Sequence, residues 1–489
     1  MSDLDLTDVD WTAQYIDGEY VAPDDGDTIS VEDPSTREQF AEVPAGTTGD
    51  VDAAYEAAAA AQDEWASRPP QQRASVVRTA RDLLKENRDE ILDLLAAESG
   101  STRTKGMAEF YTSVGITGEA ASFPTRMSGD RRDSTVAGKE NIVVREPKGV
   151  VGVISPWNFP LNLSIRAVAP AIATGNSVVL KPATNTPVTG GLLLAKLFEA
   201  AGLPEGVLNV VTGHGSEVGD RIAGHPEADV VAFTGSTEVG KQVAGTAATN
   251  LATPAMELGG NNVHIVTEDA DLDRAIDGGV FGSFLHSGQV CISVNRHLVH
   301  EDVYDEYVHR LTERAEELPT GTAHEPQTVV GPIIDESQRD QILDFVEQTV
   351  DAGATVETGG GHDGLVVEPT VLSDATNDMA AACNEHFGPV APVIPFSDDD
   401  EAVEMANSTD YGLSGSVHSG DVGRARDIAD RIDTGMIHIN DQPINDEPHV
   451  PFGGVGDSGM GRYNGEAVLE EFTEQKWISV QREERDYPF

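Results

Sequence analysis

Short apolar runs alternate with helix-like stretches from Gly149 onward, and this alternation constrains the fold more than any other feature of the chain. The runs VVGVIS, SVVLKP, GVLNVV and DVVAFTG are separated by helical patterns near 161–173, 188–201, 216–223 and 237–247. Apolar runs separated by helices predict parallel strands in a doubly wound sheet. The alternation resumes after Glu257, with strands predicted near 262–266, 296–300, 366–372, 412–418 and 435–440. Two such units in sequence predict two α/β lobes with a cleft between them.

The chain before Gly149 is helical in pattern and then becomes a charged excursion. A helix is predicted over the alanine-rich residues 51–66, and a second helical stretch over about 71–99, where Gly100 stops it. The turn-rich segment from Met127 to Glu146 ends in NIVVREP, which predicts a hairpin. We interpret this segment as an excursion from the main fold rather than a linker.

The charge balance excludes two classes of partner. Against 32 Lys and Arg residues stand 84 Asp and Glu, which gives a formal net charge of −52. Nucleic acids and anionic membranes require a basic footprint, so neither is expected as a main partner. The basic residues are 24 Arg and 8 Lys, and this acidic, lysine-poor composition resembles that of halophilic proteins. Molar salt shortens the Debye length from about 10 Å at 0.1 M to about 3 Å at 1 M, which makes the self-repulsion tolerable.

The two cysteines, Cys291 and Cys383, are too few for a disulfide framework, which indicates a reducing compartment. The N-terminus MSDLDLTDVDW is acidic and lacks the basic and apolar regions of a signal peptide. The longest uncharged apolar stretch, Gly149 to Ile165, is interrupted by prolines and asparagines and falls short of the about 20 residues that a membrane helix needs. A cytoplasmic protein is therefore expected.

Two glycine turns that follow strands are candidate phosphate sites. TGHGSEVG begins at Thr212 but misses the spacing of a dinucleotide fingerprint, so a plain turn is an equal alternative. FTGSTEVG follows a strand and opens a helix, so Gly235 and Ser236 are candidates to present backbone donors to a pyrophosphate. The pattern by itself leaves both interpretations open.

A glutamate and a cysteine follow these turns. Glu257 ends an apolar segment in MELGGNN, and Cys291 follows 34 residues later in SGQVC. A lone glutamate is usually a surface charge, and a lone cysteine is usually an inert core residue. A thiol with a pKa near 8.5 is mostly protonated at neutral pH, so a nucleophile requires an activating environment that composition does not reveal.

Seven motifs together identify the chain by resemblance. In order, they are PWNFP (156–160), KPAT (181–184), FTGSTEVG (233–240), MELGGNN (256–262), GQVC (288–291), EHFGP (385–389) and PFGGVGDSGMGR (451–462). Their order and spacing resemble those of the aldehyde dehydrogenase superfamily, over roughly residues 15 to 480. The resemblance implies an α/β fold with a Rossmann-type cofactor domain, an α/β catalytic domain and a small oligomerisation excursion. The implied ranges are 1–120 with 148–256 for the NAD(P)-binding domain, 257–440 for the catalytic domain, and 121–147 with 470–489 for the oligomerisation elements.

The resemblance also implies a mechanism. Cys291 would attack the aldehyde to form a thiohemiacetal, whose oxyanion the Asn158 side-chain amide and the Cys291 backbone N–H would hold. Hydride would pass to the nicotinamide and leave a thioester. Glu257 would act as general base, directly or through water, for hydrolysis of that thioester, and activation of the Cys291 thiol is left open as a second role.

The cofactor implied by the resemblance is NAD or NADP. Lys181 would bind the adenosine ribose and Glu385 the nicotinamide ribose, with Phe387 packed beside it. Many NAD-preferring relatives carry a glutamate three residues after this lysine; Thr184 stands there instead, so no carboxylate repels a 2′-phosphate and both cofactors are expected to work. The full predicted cofactor set is Ile154, Trp157, Lys181, Thr184, Gly215, Gly219, Gly235, Ser236, Val239, Leu258, Glu385 and Phe387.

Two residues near the motifs have plainer interpretations. Cys383 has no catalytic counterpart in the family and is expected to be structural. His286, five residues before Cys291, is expected to pack or to lie at the surface, although it leaves open a rival thiol hydrolase that uses Cys291 with His286. A catalytically silent structural protein is a further alternative, which the presence of Cys291, Glu257 and Asn158 disfavours. No histidine and cysteine cluster has zinc spacing, so no metal is expected.

The segment HINDQPINDEPHVPFGG, from His438 to Gly454, resembles the branch that contains benzaldehyde, salicylaldehyde and vanillin dehydrogenases. An aromatic aldehyde is therefore the expected substrate, with succinic semialdehyde or another aliphatic aldehyde as the alternative. The family resemblance also implies a homodimer or homotetramer, in which residues 121–147 and the strand near Trp477 to Gln481 extend a sheet across subunits.

Overall fold

The computed structural model describes Leu4, Leu6 and residues 10–22 and 26–489. The predicted start of the cofactor domain at residue 1 lies outside these described residues. The strands are β1 Gln14–Ile16, β2 Glu19–Val21, β3 Thr28–Glu32, β4 Gln39–Pro44, β5 Asp130–Asp133, β6 Lys139–Pro147, β7 Val150–Ile154, β8 Ser177–Lys181, β9 Leu208–Val210, β10 Val230–Thr234, β11 Thr253–Glu257, β12 Asn262–Val266, β13 Val294–His300, β14 Thr355–Thr358, β15 His362–Asp363, β16 Val366–Val367, β17 Thr370–Ser373, β18 Val390–Phe396, β19 Tyr411–Gly412, β20 Gly415–His418, β21 His438–Ile439, β22 Val455–Gly456, β23 Gly459–Met460 and β24 Thr473–Gln481.

The α-helices lie between these strands. They are α1 Thr48–Ser67, α2 Pro70–Glu86, α3 Arg88–Ser99, α4 Arg103–Ala120, α5 Pro160–Thr174, α6 Leu193–Ala200, α7 Asp220–Ala223, α8 Thr237–Thr249, α9 Leu272–Phe284, α10 Tyr304–Glu316, α11 Glu336–Asp351, α12 Ala380–Cys383, α13 Asp399–Asn407, α14 Val422–Ala429 and α15 Val468–Phe472. Short 3₁₀ turns cover Phe123–Thr125, Leu285–Gly288 and Glu301–Val303, and π turns cover Val188–Leu192 and Gly215–Gly219.

The first sheet has the order β2-β1-β9-β8-β7-β10-β11-β23. Its five central strands, from β9 to β11, run parallel, and the strands predicted over 150–155, 177–182, 206–211 and 229–235 are confirmed as β7 to β10. The chain order reverses beside β7, because β8 and β9 lie on one side of it and β10 and β11 on the other. Ligands bind outside the carboxyl ends of strands at such a switch point. Those ends carry Ile154, Lys181, Thr234 and Glu257.

The second sheet has the order β14-β17-β18-β13-β12-β20-β21 and is parallel except for β14. Apolar side chains pack on both of its faces: Ile265 and Leu298 belong to one buried cluster, and Val266 and Val299 to another. Residues on alternate positions of one strand face opposite sides of a sheet, which is why neighbouring residues join different clusters. The predicted α/β class with two sheets in succession is confirmed.

Helix α5 positions one side of the cleft between the sheets. It begins at Pro160, whose fixed φ and missing N–H suit a first helical position, and it ends before Gly175, which has φ 104°. Every residue of α5 is buried, so the helix is internal and its polar side chains must find partners inside the protein.

A third sheet is formed by the excursion and the C-terminal strand. The predicted hairpin is confirmed as β5 and β6, and β24 pairs with the whole length of β6 in antiparallel register, with Trp477 opposite Val143. Trp477 is 66% exposed. The neighbouring Ile478 on the same outer strand is also exposed.

One predicted helix and two predicted strands are each divided into two elements, and a third predicted strand is shorter than predicted. The stretch over 71–99 is two helices, because Asn87 leaves helical geometry at φ −105° and ψ 28° and its side chain donates to Leu83 O at 2.8 Å. The strand over 366–372 divides into β16 and β17 at Pro369, which has no N–H for a ladder. The strand over 412–418 divides because β19 pairs with β22 while β20 pairs with β12. The strand over 435–440 is shortened to β21.

Within the described residues, no helix is long and apolar enough to cross a membrane.

Candidate active site

Cys291 lies in a strained turn between α9 and β13. The chain enters the turn through His286, Ser287 and Gly288, whose φ values are 50°, 55° and 71°. Left-handed backbone is costly for residues other than glycine and concentrates at functional sites. Val290 N–H donates to Gly288 O at 2.8 Å and closes the turn. The half-buried Cys291 is therefore held on a defined loop rather than within a helix or strand.

Asn262 fixes this turn from the neighbouring strand β12. Its Nδ2 donates to Cys291 O at 2.9 Å and to Ser293 O at 2.7 Å. Its Oδ1 accepts from Ser414 N–H at 2.9 Å. Sequence reasoning assigned no role to Asn262, although an amide at the start of an apolar strand was the available signal.

Two cavities meet at Cys291 and Asn158. The first has a volume of about 220 Å³ and is lined by Pro156, Trp157, Asn158, Leu163, Thr234, Gly235, Ser236, Leu258, Gly259, Cys291, Gln338, Gln341, Glu385 and Phe387. The second has a volume of about 110 Å³ and is lined by Ala108, Glu109, Thr112, Asn158, Phe159, Asn162, Leu163, Arg166, Phe281, Leu285, Val290, Cys291, Ile292, Ile444, Asp446 and Phe452. Molecules in the two cavities would approach the same sulfur.

Asn158 is buried beside the turn that carries Cys291. Its Nδ2 donates to Gln289 O at 3.0 Å. Gln289 is itself fixed, since its Oε1 accepts from Ile334 N–H at 2.9 Å. An amide nitrogen carries two hydrogens, so the second hydrogen of Asn158 is available to an oxyanion that forms at Cys291.

Glu257 ends β11 as a buried carboxyl with no hydrogen-bond partner for either oxygen in the described part of the chain. Burial raises its pKa to about 8, while the positive charges of Arg166 and Arg462 act in the opposite direction. Gly453 leaves room for the carboxyl, because a Cβ there would lie 2.7 Å from Glu257 Oε1. A carboxyl with a pKa near the working pH is suited to general base catalysis.

The Cys291 thiol is protonated at rest. Burial and the negative charge of Glu385 raise its pKa to about 12, and Glu257 is close enough to contribute in the same direction. The reactive species of a cysteine is the thiolate. Attack by Cys291 therefore requires a proton acceptor, although Glu257 is not among the residues that line either cavity.

The predicted cofactor residues fall into two groups. Trp157, Gly235, Ser236, Leu258, Glu385 and Phe387 line the first cavity together with Asn158 and Cys291. Ile154 and Lys181 lie side by side at the ends of β7 and β8, and Thr184, Gly215, Gly219 and Val239 lie farther along the loops and helices at that edge.

The walls of the first cavity are suited to a flat ring and a sugar. The rings of Trp157 and Phe387 meet edge to face with centroids 5.5 Å apart. Glu385 Oε1 accepts from Gly260 N–H at 3.0 Å, and burial raises the Glu385 pKa to about 7. A Cβ on Gly259 would lie 2.3 Å from Glu385 Oε2, so bare backbone is required there.

The far part of the site holds a buried ammonium group. Lys181 Nζ donates to Pro182 O at 2.9 Å, and burial lowers its pKa to about 8. Gly219 lies against this side chain, since a Cβ there would be 3.6 Å from Lys181 Cδ. Thr184 Oγ1 donates to Gly213 O at 3.1 Å, which leaves its oxygen free to accept. A buried ammonium group and a hydroxyl thus lie at one end of the site, and the Glu385 carboxyl lies at the other. This set of donors and acceptors fits the predicted group, a dinucleotide.

One predicted donor is wrong. The N–H of Gly235 donates to Glu257 O at 3.1 Å, so it is not free for a pyrophosphate. The reason is that Gly235 continues the ladder between β10 and β11. Ser236 precedes the first helical residue of α8 and its side chain makes no capping bond, so the phosphate contact predicted for Ser236 stays a prediction.

His286 and Cys383 lie outside the reaction cavities. His286 is buried and its ring packs edge to face on Phe159 with centroids 5.7 Å apart. Burial and the charge of Lys105 hold its pKa well below the usual range, so it is neutral. Cys383 is exposed and accepts from Asn384 Nδ2 at 3.3 Å. Neither residue lines a cavity with Cys291.

Two α/β sheets, a cysteine on a strained turn and two cavities that share this cysteine are the features of one class of enzyme. Comparison with known proteins identifies this class. The model of the aldehyde dehydrogenase family matches residues 20–478. The chain belongs to this family, and the predicted class of enzyme, an aldehyde dehydrogenase, is confirmed.

Particular relatives share almost the whole chain. A vanillin dehydrogenase of Corynebacterium glutamicum is 48% identical over 478 residues, which cover 97% of this chain and 98% of that protein. A benzaldehyde dehydrogenase of Bacillus subtilis is 45% identical over 476 residues, which cover 97% of this chain and 98% of that protein. The crystal structure of betaine aldehyde dehydrogenase from Staphylococcus aureus in complex with NAD+ superposes with a TM-score of 0.95 at 34% identity, covering 98% of this chain and 96% of that one. The predicted cofactor, NAD or NADP, agrees with the ligand of that structure.

Proposed function

We propose that this protein oxidises aromatic aldehydes to carboxylic acids, with Cys291 as nucleophile and NAD(P)+ as hydride acceptor. The observation that carries the proposal is the second cavity, where the rings of Phe159, Phe281 and Phe452 surround the approach to Cys291. Aromatic side chains favour an aromatic guest over a polar aliphatic one. The similarity to vanillin and benzaldehyde dehydrogenases supports the same substrate class.

The first half of the reaction forms and oxidises a covalent adduct. Cys291 Sγ bonds to the aldehyde carbon as its proton passes through a water to the Glu257 carboxylate, and the carbonyl π electrons move to oxygen. Glu257 then releases this proton to solvent before it acts again. The Asn158 amide and the Cys291 N–H hold that oxyanion, and removal of one such donor typically costs about 10²–10³ in rate. A bound nicotinamide would supply the acceptor for the hydride of this carbon. Collapse of the oxyanion restores the carbonyl and leaves a thioester on Cys291.

The second half releases the acid. Glu257 removes a proton from water, which adds to the thioester carbonyl, and the C–S bond breaks to return the Cys291 thiolate. The oxygen donors are the same as in the first half. Because Glu257 has no competing hydrogen bond within the described residues, its carboxylate is free to orient that water.

The proposed cofactor-binding residues are the predicted ones, except that Gly235 does not donate its N–H to the cofactor. Lys181 and Thr184 would hold the adenosine ribose, Ser236 a phosphate, and Glu385 the nicotinamide ribose. Residues 1–120 with 148–256 are proposed as the cofactor domain and 257–440 as the catalytic domain. The cleft between the two sheets supports this division.

A panel of aldehydes tests the proposed function. Benzaldehyde, vanillin, succinic semialdehyde and a medium-chain aliphatic aldehyde would be oxidised in molar KCl, with NADH and NADPH absorbance followed separately. We expect the aromatic aldehydes to have the highest kcat/KM. A preference for succinic semialdehyde would contradict the proposed aromatic substrate. Arg166 is the cation in the second cavity that would bind the carboxylate of succinic semialdehyde, but Arg166 already pairs with Asp446.

Cofactor choice depends on Thr184. We expect both cofactors to work, with kcat/KM values within about 100-fold of each other, because Thr184 stands where the family resemblance would place the glutamate of many NAD-preferring relatives. Thr184→Glu should shift the ratio toward NAD by repelling the 2′-phosphate of NADP. Thr184→Gln, in which the new side chain has nearly the same size but no charge, is the control and should shift it much less. Strong exclusion of NADP by the wild type, or an unchanged ratio in Thr184→Glu, would contradict this assignment.

We propose that the protein is at least dimeric. The sheet β24-β6-β5 presents the exposed Trp477 and Ile478, and an outer strand left open invites pairing with another chain. Light scattering in high salt should give a mass of at least twice the 51.9 kDa of the chain. A monomer at micromolar concentration would contradict the proposal.

We further propose that the acidic surface is an adaptation to salt. The 84 acidic residues exceed the 32 basic ones by 52, so most carboxylates have no basic partner. Screening should relieve their repulsion, and Tm should therefore rise clearly as KCl increases from about 0.2 M to 3 M. A flat or falling Tm would show that the charge serves another purpose.

A reducing cytoplasm is proposed as the location, because Cys291 must remain a free thiol.

A further inference from the structure

The second cavity contains polar side chains, and most of them already have partners. Glu109 pairs with Lys105 at 2.5 Å, and its other oxygen accepts from Asn162 N–H at 3.1 Å. The Thr112 hydroxyl donates to Ala108 O at 2.9 Å. Asp446 pairs with Arg166 and accepts from Asn464 Nδ2 at 2.7 Å. These groups need nothing from a substrate.

Asn162 and Arg166 are different, because they hold donors with no partner in the described structure. The unpaired atoms are Asn162 Nδ2 and Arg166 Nε and Nη1. The two residues are 3% and 4% exposed, so water does not satisfy these donors from bulk solvent. A buried donor without an acceptor is costly, and native structures rarely keep one without a reason.

The orientation of the Asn162 amide is fixed. Its Oδ1 accepts from Arg166 Nη2 at 3.2 Å, so the free end of the amide is Nδ2. The guanidinium is also fixed, because it pairs with Asp446 and its Cζ lies 4.1 Å from the centroid of the Phe452 ring. Since Asp446 already balances the charge of Arg166, the free donors suit a neutral oxygen better than a carboxylate.

Asn162 and Arg166 lie one turn apart on α5, and one helical turn rises about 5.4 Å. Asn158 lies two residues before the helix begins. All three residues line the same cavity as Cys291. The ring of an aldehyde whose carbonyl oxygen is held at Asn158 would share this cavity with the free donors of Asn162 and Arg166.

We propose that Asn162 is a specificity-determining residue that donates a hydrogen bond from Nδ2 to an oxygen substituent on the ring of the aromatic substrate, with Arg166 as the adjacent second donor. The inference rests on the proposed function and narrows it to aromatic aldehydes that carry a ring hydroxyl or methoxy oxygen. An unsubstituted ring fills the apolar part of the cavity but leaves both donors unpaired.

The test compares substrates of the same shape, hydroxybenzaldehydes and methylbenzaldehydes with the substituent at the meta or the para position. At each position, the kcat/KM value for the hydroxyl compound is divided by the value for the methyl compound, in the wild type and in Asn162→Leu. The variant keeps nearly the size of the side chain but can neither donate to the ring hydroxyl nor accept from it. For the better of the two ring positions, we expect the wild-type ratio to exceed about 10, and the variant to lower it about 10- to 100-fold. Ser164→Ala, which removes a buried hydroxyl of α5 that bonds Ser155 at 2.7 Å, should leave the ratio unchanged.

A second measurement uses the wild type alone and does not depend on folding of a variant. Hydroxyacetophenones and methylacetophenones place the same rings in the cavity but carry no aldehyde hydrogen to transfer. The inhibition constants should favour the hydroxyl compound by about 10-fold or more. Equal inhibition constants, a hydroxyl-to-methyl ratio near one, or an Asn162→Leu ratio equal to that of the wild type would overturn the inference. If aliphatic aldehydes exceed all of these substrates, the proposed function itself has failed.

Discussion

Cys291→Ala should lower aldehyde oxidation by at least about 10⁴-fold, because no other group can form the covalent adduct. The thiol is half-buried at the junction of two cavities, on a turn that Asn262 holds with two hydrogen bonds. Turnover would be followed as reduced cofactor in molar KCl. Cys383→Ala is the matched control, since it removes the exposed second thiol and should retain wild-type turnover. Steady oxidation by the Cys291→Ala protein would end the proposed mechanism.

Glu257→Gln should transfer hydride once and then stall at the thioester. The glutamine keeps the shape of the carboxyl but cannot take a proton from water, so steady turnover should fall by about 10²–10⁴-fold. Rapid mixing should show a burst of reduced cofactor equal to the number of active sites, and mass spectrometry should find the acyl group on Cys291. Glu98→Gln is the control, because Glu98 is also a fully buried carboxyl, with a pKa raised to about 7, but it bonds Val188 and Thr189 N–H outside the site. A control that also accumulates thioester would show that Glu257 is not the specific base.

The same prediction has a pH dependence. Glu257 acts as a base only when it is deprotonated, and burial raises its pKa to about 8. Hydrolysis of the wild-type thioester should therefore rise about tenfold per pH unit below pH 8 and level off above it. Decay of the acyl-enzyme in single-turnover experiments gives this rate directly. A rate that does not change between pH 6 and pH 8 would assign the base role to another group.

The parts of the site that lie at strand ends were predictable from the sequence. The strands that carry Ile154, Lys181 and Thr234 are short apolar runs bounded by turns, and their pattern is local. The order of the motifs around Asn158 and Cys291 supplied the family. Local patterns and short motifs are properties of neighbouring residues, so they can be read before the chain is folded.

The partners of these residues were not predictable in the same way. Gly235 was expected to donate to a phosphate, but its N–H extends the ladder to Glu257 O. Strand β23 returns more than 190 residues after β11 to pair beside it, and no local pattern marks that pairing. Whether a donor is free depends on which distant acceptor folding brings near it.

The sequence by itself determined the α/β class, four of the parallel strands of the first sheet, Cys291 as the candidate nucleophile, and the family. The tertiary structure alone decided that Asn262 anchors the nucleophile turn, that Glu257 is buried without a partner among the described residues, and that Asn162 and Arg166 hold unpaired donors in a cavity with Cys291. The physical reason is that residue type fixes which bonds a side chain can make, whereas burial and long-range packing fix which of those bonds remain unmade and available to a substrate.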